Sequence, residues 1–367
     1  MVLLATRLTA VGYRSYEEYT LDLGERVTVL VGPNAAGKTN LIEAIQLLTS
    51  GQSFRRPAPA ELVRERAAAC RIELALAGDG RCMDMAMDVT GSKRTFWKNG
   101  KRVSAAGVRG VLPSVLFCPD DLDMVKRSAG VRRGALDVFG CQLSASYADL
   151  VASYGRIVEQ RNSLLRDVAR PDAALIAAWD ESMVAAGAAL THHRAALLAR
   201  IRARFVEVMD RIAPTEAVDV TYMPNILDET AAASGCSRDE LAAAMGAALA
   251  SRRDDEMRRR QTLVGPHRDE VLFTIDGRPA RAFGSQGQQR SVVLAWKIAE
   301  VEVTRDILGT SPILLLDDVM SELDESRREA VVRFIGEGIQ TVITTTNLGY
   351  FTPELLDAAK VVHIGDA

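Results

Sequence analysis

One short stretch constrains this chain more than any other: an apolar run, Val27–Val31, that leads directly into a glycine-rich loop. The loop and the residues after it read Gly32, Pro33, Asn34, Ala35, Ala36, Gly37, Lys38, Thr39 and Asn40. Apolar residues then recur at helical spacing through Leu48, so the order is strand, loop, helix. In that order, backbone N–H groups and the helix N-terminus surround a phosphate. The pattern predicts a cradle for the phosphates of ATP.

Two side chains of this loop have specific predicted roles. Lys38 is placed to reach the β- and γ-phosphate oxygens, and the Thr39 hydroxyl is placed to bind Mg²⁺. We expect the whole stretch from Gly32 to Asn40 to line the ATP site, largely through its backbone.

A second element is the apolar run Ile313–Leu316, which is followed by Asp317 and Asp318. A strand of this kind fits a parallel sheet that is buried on both faces. We expect Asp317 to hold Mg²⁺, directly or through water, as the Walker B acid does. Asp318 is then placed to orient or deprotonate the attacking water.

A third element heads a long predicted helix and consists of Ser285, Gln286, Gly287 and Gln288. It resembles the signature motif of ABC-type ATPases, which in that class touches the γ-phosphate bound to the other subunit of a dimer. The alternative is a polar helix cap, because Ser and Gly are common at that position. Its place one helix before the Asp317 strand favours the signature. Ser285 thus joins Lys38 and Asp318 as a predicted catalytic residue.

Two further segments agree with an ATPase of this class. Ser321-Glu322-Leu323-Asp324 matches the D-loop, which crosses the dimer interface. Thr346 occupies the place where many relatives carry a switch histidine. Because a threonine cannot act as an imidazole does, we expect slow hydrolysis.

Composition narrows the class of protein. The 367 residues carry a formal net charge of −3, so any contact with nucleic acid must come from local basic patches. Five scattered cysteines without metal-ligand spacing predict reduced thiols in a cytoplasmic protein. No apolar run approaches the roughly 20 residues that cross a bilayer.

The distribution of residue types along the chain predicts its domains. The first third alternates like a sheet, the middle is rich in Ala, Arg, Leu and Glu, and strand character returns near the end. We predict an α/β fold: an ABC-type P-loop ATPase head with a β-rich N-terminal part, an inserted α-helical lobe and no long coiled coil. The ATPase domain is expected to comprise 1–125 and 256–367, and the helical lobe 126–255.

Taken in order, the motifs closely resemble one family, the RecF family of bacterial recombination mediators, which is related to the Rad50 and SMC heads. Besides the three elements above, the resemblance is carried by Gly12-Tyr13-Arg14-Ser15-Tyr16, Phe117-Cys118-Pro119-Asp120-Asp121-Leu122, Gln160-Arg161-Asn162, Trp179-Asp180 and Gly265-Pro266-His267-Arg268-Asp269. These segments span nearly the whole chain.

The resemblance implies a function. ATP and Mg²⁺ would close a homodimer over DNA with little sequence preference, near a junction of single and double strands, and hydrolysis would release it. With RecO and RecR, the protein would promote RecA loading at gaps in recombinational repair and replication. Arg14 would contribute to the nucleotide site.

The position of the DNA contact is a weaker expectation. Arg55 and Arg56 follow the predicted loop helix, where the family presents basic residues to DNA, and Lys126 with Arg127 begins the helical lobe. For each of these residues, the alternative is an ordinary solvated charge.

Three other functions fit part of this pattern. A nuclease-coupled ATPase needs an added acidic metal-binding domain, and only about fifty residues follow Asp318. A transporter ATPase subunit needs a membrane partner and a shorter helical insert. A P-loop kinase leaves the signature and the D-loop without a role.

Overall fold

The computed structural model describes residues 3–167, 173–227, 235–336 and 338–365. The chain divides into two compact units, the first formed by Met1–Leu122 and Val293–Ala367 and the second by Asp123–Val292. The second unit begins close to the predicted start of the helical lobe. The return to the first unit comes at Val293, whereas the sequence placed it at residue 256.

The secondary structure follows the chain in three blocks. The first block contains β1 (Leu4–Tyr13), β2 (Tyr16–Asp22), β3 (Val27–Val31), α1 (Lys38–Ser50), β4 (Ala69–Gly78), β5 (Arg81–Thr90), β6 (Lys93–Lys98), β7 (Lys101–Val103), β8 (Ser114–Phe117) and α2 (Pro119–Leu122). The second block contains α3 (Ala129–Leu143), α4 (Ala145–Asp167), α5 (Ala173–Ile212), β9 (Val218–Met223), α6 (Arg238–Arg259), β10 (Glu270–Ile275), β11 (Arg278–Pro279), α7 (Ala280–Phe283) and α8 (Gln286–Leu308). The last block contains β12 (Ile313–Asp317), α9 (Glu325–Ile335), β13 (Thr341–Thr345), α10 (Pro353–Ala358) and β14 (Ala359–His363).

A parallel five-stranded sheet organises the first unit, in the order β14-β3-β13-β12-β8. Its central strands are buried along their whole length, which explains their uninterrupted apolar sequences. The register sets Asp317 opposite Thr344, and Thr345 opposite Val31. The carboxyl ends of β3, β13 and β12 therefore share one edge of the sheet.

The same unit contains an antiparallel six-stranded sheet in the order β2-β1-β4-β5-β6-β7. One of its faces joins the apolar residues of α1, including Leu41 and Ile45, in a single core. The turn between β6 and β7 has φ of 48° at Asn99 and 71° at Gly100. Two positive φ angles in succession are what an Asn-Gly hairpin turn supplies.

In the described residues, the second unit contains α3 to α7, the start of α8 and a three-stranded sheet in the order β11-β10-β9. Pairing of β9 with β10 keeps residues 270–275 with this unit and explains why the chain returns to the first unit only at Val293. A buried ion pair joins Arg161 of α4 to Glu256 of α6 at 2.6 Å. In the described part of the chain the longest helix is α5, with 40 residues, and no coiled coil extends from it. No described helix combines the length and the hydropathy that crossing a membrane requires.

Candidate nucleotide site

The glycine loop lies between β3 and α1, at the shared carboxyl edge of the parallel sheet. A Cβ at Gly32 would lie 2.1 Å from the Ile364 carbonyl oxygen, so no other residue fits there. Gly37 has φ of 101°, and a Cβ there would lie 2.6 Å from the Tyr16 hydroxyl. Both glycines of the motif are therefore required by close approach of the surrounding chain, as a phosphate cradle requires.

Lys38 is the first residue of α1 and is 6% exposed. Its Nζ donates hydrogen bonds of 2.8 Å to the carbonyl oxygens of Gly32 and Pro33. Burial lowers the pKa of Lys38, and the charges of Asp318 and Asp317 act in the opposite direction. The ammonium group is thus held across the mouth of the loop, where it can neutralise phosphate oxygens.

Thr39 and Asp317 come together as the sequence predicts. Thr39 Oγ1 donates to Asp317 Oδ1 at 2.9 Å, and Thr344 Oγ1 donates to the same oxygen at 2.8 Å. A hydroxyl and a carboxylate beside the phosphate cradle are the hard oxygen ligands that Mg²⁺ prefers, so these residues fit the ion. Elsewhere in the described residues, no group of three or more His, Cys, Asp or Glu side chains could hold a metal.

Asp318 has an unusual conformation and an unsatisfied side chain. Its φ is 52°, in the left-handed region, and its backbone N–H donates to Thr344 Oγ1 at 2.9 Å. Within the described residues, its buried Oδ1 accepts no hydrogen bond. Burial raises the pKa of Asp318, with Asp317 and Glu322 adding to the effect and Lys38 opposing it. Such a carboxylate is available to accept a proton or a hydrogen bond from water.

The signature candidate lies in the second unit, at the start of α8. Ser285 Oγ accepts from the Gln288 N–H at 3.2 Å, while Gln288 Oε1 accepts from the Ser285 N–H at 2.8 Å. This reciprocal pair is a helix cap. The helix-cap interpretation of these residues therefore describes a contact that the single chain contains. Ser285 and Gln286 are nevertheless exposed, and Gly287 is half-buried. The predicted contact with a second subunit's phosphate stays a prediction.

In the predicted D-loop Leu323 is buried and the other three residues are exposed, as is the predicted switch position. Ser321 Oγ donates to the Asp318 carbonyl oxygen at 2.8 Å, which ties the D-loop to the catalytic candidate. Asp324 caps α9 by accepting from the Arg327 N–H at 3.0 Å. Thr346 follows β13 directly and faces solvent.

Arg14 has partners that the sequence did not suggest. Its Nε and Nη2 donate to the Glu43 carboxylate at 3.0 and 2.9 Å, and its Nη1 donates to the Glu61 carbonyl oxygen at 2.9 Å. All three donor groups therefore hold other parts of the protein. A nucleotide contact by Arg14 stays a prediction.

The predicted DNA-binding residues differ in their surroundings. Arg55 is exposed and donates to Asn40 Oδ1 at 3.0 Å, whereas the exposed Arg56 side chain has no partner in the described residues. In the second unit, Lys126 is exposed and Arg127 lies 3.7 Å from Asp123. None of these positions excludes a phosphate contact.

Sequence reasoning missed a basic hairpin formed by β6 and β7, whose ten residues 93–102 contain five cations and no acid. Lys93, Lys101 and Arg102 are exposed and have no partner among the described side chains. Arg94 Nη2 donates to the Pro57 carbonyl oxygen at 2.5 Å, so the hairpin lies against the segment that carries Arg55 and Arg56. The run of cations around Trp97 was the signal that could have identified it.

The chain matches known proteins along nearly its whole length. Residues 4–362 match the family model described as RecF/RecN/SMC N terminal domain. The chain is 37% identical over 358 residues to the DNA replication and repair protein RecF of Gloeobacter violaceus, covering 96% of this chain and 94% of the relative. It is 36% identical over 365 residues to the protein of the same name from Synechocystis, covering 96% and 94%.

Solved structures point to the same family as the sequence relatives do. A structure of the recombination mediator protein RecF with ATP in the RecFOR pathway superposes with a TM-score of 0.86 at 26% identity, covering 94% of this chain and 92% of that one. An SMC head bound to the C-winged helix domain of ScpA has a TM-score of 0.56 at 14% identity, which is a likeness of fold. The chain therefore belongs to the RecF family of ABC-type ATPases.

Proposed function

We propose that this chain is an ATP-driven DNA clamp of recombinational repair and replication, acting in the cytoplasm. One observation carries the proposal: the cradle, the Thr39–Asp317 pair and the unsatisfied Asp318 are assembled in one unit, while Ser285 and Ser321 are exposed. The first set suits binding and slow hydrolysis of ATP. The exposed serines suit contact with a second copy of the chain.

In the proposed reaction, Lys38 neutralises charge on the β- and γ-phosphates, and the cradle N–H groups hold the phosphates in place. Asp318 accepts a hydrogen bond or a proton from the attacking water through its unsatisfied Oδ1. Thr39 and Asp317 would hold Mg²⁺, which neutralises developing charge on the phosphate oxygens. Thr346 offers only a hydroxyl, which supports slow turnover.

Dimerisation is proposed because the nucleotide site of one chain lacks the predicted contact from Ser285. ATP bound at Lys38 would be contacted by Ser285 of a second copy, which lies at the exposed N-terminus of a 23-residue helix. Because ATP then contacts both copies only in the closed dimer, it shifts the population toward that state. Hydrolysis removes the γ-phosphate contact and the dimer opens.

DNA is the proposed partner of the basic surface. Arg55, Arg56, Lys101 and Arg102 are exposed cations on two adjoining segments of the first unit. Such residues contact phosphates, which gives steep salt dependence and weak sequence preference. We further propose that RecR, with RecO, binds the DNA-bound dimer and supports RecA loading, in keeping with the RecFOR pathway named for the ATP-bound relative.

The most informative test is the mass of the full chain in solution, measured by light scattering with ATP, with ADP and without nucleotide, each with and without gapped duplex DNA. The proposal expects a dimer with ATP and a monomer with ADP, together with faster hydrolysis when DNA is present. A monomer under all six conditions would exclude the clamp. ATP binding without any binding of DNA would favour one of the other ATPase classes.

A further inference from the structure

Glu43 of α1 is a fully buried carboxylate, 0% exposed, that hydrolysis does not use. It accepts hydrogen bonds from the Tyr13 hydroxyl at 3.2 Å, from Arg14 at 3.0 and 2.9 Å, and from Ser53 Oγ at 2.5 Å. A buried charge is tolerated only when it is well paired, and here the donors come from two separate segments of the chain. Glu43 therefore joins both segments to the helix that begins at Lys38.

One of these segments is Ser53–Arg56, which we call the arginine loop. Ser53 Oγ accepts from the Arg55 backbone N–H at 3.0 Å while it donates to Glu43. The Arg55 guanidinium donates to Asn40 Oδ1 at 3.0 Å and lies 3.9 Å from Glu43 Oε2. Asn40 and Glu43 are three positions apart, so one turn of α1 binds both Ser53 and Arg55. Gln46 of the next turn accepts from the Phe54 backbone N–H at 2.8 Å.

The same turn contacts the phosphate cradle. Asn40 Nδ2 donates to Ser15 Oγ at 3.1 Å. Ser15 Oγ and the Tyr16 hydroxyl lie 2.9 and 2.6 Å from the position that a Cβ on Gly37 would occupy. The Asn40 backbone N–H also donates to the Gly37 carbonyl oxygen at 2.8 Å. Hydrogen bonds therefore run from Arg55 through Asn40 to Gly37.

We propose that Glu43 and Asn40 are positioning residues that make the orientation of the arginine loop depend on the nucleotide. Phosphate in the cradle fixes the first turn of α1, and that turn carries the acceptors of Ser53 and Arg55. The coupling is reciprocal. If bound nucleotide changes the affinity of the arginine loop for DNA phosphate by some factor, a DNA phosphate that withdraws Arg55 from Asn40 changes the affinity of the cradle for nucleotide by that same factor. The inference rests on the proposed function for the identity of the two ligands.

The test is hydrogen–deuterium exchange of the peptide covering residues 50–58 in the full chain, with and without ATPγS and Mg²⁺. In the wild type, nucleotide should slow exchange of this peptide at least about threefold, because the turn of α1 that binds Ser53 and Arg55 is then fixed. Ser53→Ala should bind ATPγS within a few-fold of wild type but lose this response. Glu43→Gln should lose it as well.

Ser50→Ala is the matched control. Ser50 and Ser53 are each 6% exposed, and Ser50 Oγ bonds the carbonyl oxygens of Gln46 and Gln52 without touching Glu43. This variant should keep the wild-type response.

Three results would overturn the inference: no response in the wild type, a full response in Ser53→Ala, or an equal loss in Ser50→Ala. Ser53→Ala decides the matter even if Glu43→Gln does not fold, because it keeps the pairing of Glu43 with Arg14. Binding of a fluorescent duplex, measured separately by anisotropy, reports on the proposed function. If the wild type does not bind the duplex, the proposed function fails, but the exchange result still decides whether nucleotide orients the arginine loop.

Discussion

Thr39 and Asp317 are 278 positions apart in the sequence, yet Thr39 Oγ1 donates a hydrogen bond of 2.9 Å to Asp317 Oδ1. The contact arises because only β13 separates β3 from β12, so the loop after β3 and the end of β12 meet at one edge of the sheet. The two predicted Mg²⁺ ligands are therefore already together in one compact unit.

Asp318→Asn should keep ATP binding and lower hydrolysis by about 100-fold or more, because the group that accepts a proton from water is lost. The variant should accumulate as a dimer in ATP. Phosphate release and light scattering measure the two effects on one sample. Hydrolysis at the wild-type rate would remove Asp318 from the mechanism.

Ser285→Arg should bind ATP normally but remain a monomer, because a long cation replaces the small group that meets the partner's phosphate. The control is Ser237→Arg, since Ser237 caps α6 with the same reciprocal pairing, to Glu240. Both variants lose a cap worth about 1 kcal/mol, but only the first should lose dimerisation. If the two variants dimerise to the same extent in ATP, Ser285 is only a structural helix cap.

Arg55→Glu with Arg56→Glu should weaken duplex binding at least about tenfold near physiological salt, with ATP binding retained. Lys101→Glu with Arg102→Glu should have an effect of the same kind, because the hairpin lies beside that loop. Titration of a labelled duplex at several salt concentrations measures affinity and salt slope together.

The matched control for both charge reversals is Arg258→Glu with Arg259→Glu, two exposed cations at the end of α6. It changes the net charge equally and should leave DNA binding within about twofold. If it weakens binding as much as the others do, net charge rather than a defined surface explains the contact.

His267 should make the protein acid-sensitive. Burial lowers the pKa of His267 from 6.5 to about 4, and it pairs with the Tyr154 hydroxyl at 2.8 Å and the Thr262 carbonyl oxygen at 3.2 Å. Since the unfolded chain takes up this proton at higher pH than the folded chain, stability is lost as pH falls from 6.5 toward 4. The loss is of the order of 3 kcal/mol.

Urea unfolding at a series of pH values measures this effect. His267→Gln should flatten the acid side of the curve, while His192→Gln, at an exposed position, should leave it unchanged. Parallel curves for all three proteins would mean that another group causes the acid sensitivity.

The cradle and the Asp317 strand could be read from the sequence because each depends on local pattern and on the known geometry of parallel sheets. The partners of Arg14 could not, since they depend on where Glu43 is buried. The end of the helical lobe was placed too early because β9 and β10 pair across about fifty intervening residues, and no local signal marks that pairing. The basic hairpin was overlooked because its cations are divided between two strands.

We propose that each ATP is held by Lys38 of one chain and Ser285 of another. Lys38→Met should lose ATP binding by roughly 100-fold, because the charge that neutralises the phosphates is gone. Lys360→Met, which removes an exposed lysine of β14, should bind ATP normally. Alone, neither Lys38→Met nor Ser285→Arg should dimerise.

Mixing these two variants tests the claim most directly, because one pairing of the two chains restores one complete site. If the site is shared, the equimolar mixture in ATP should contain a species of twice the 39.8 kDa chain mass and regain hydrolysis that neither variant shows alone. If the mixture shows only the sum of its two inactive monomers, the site is not shared between chains.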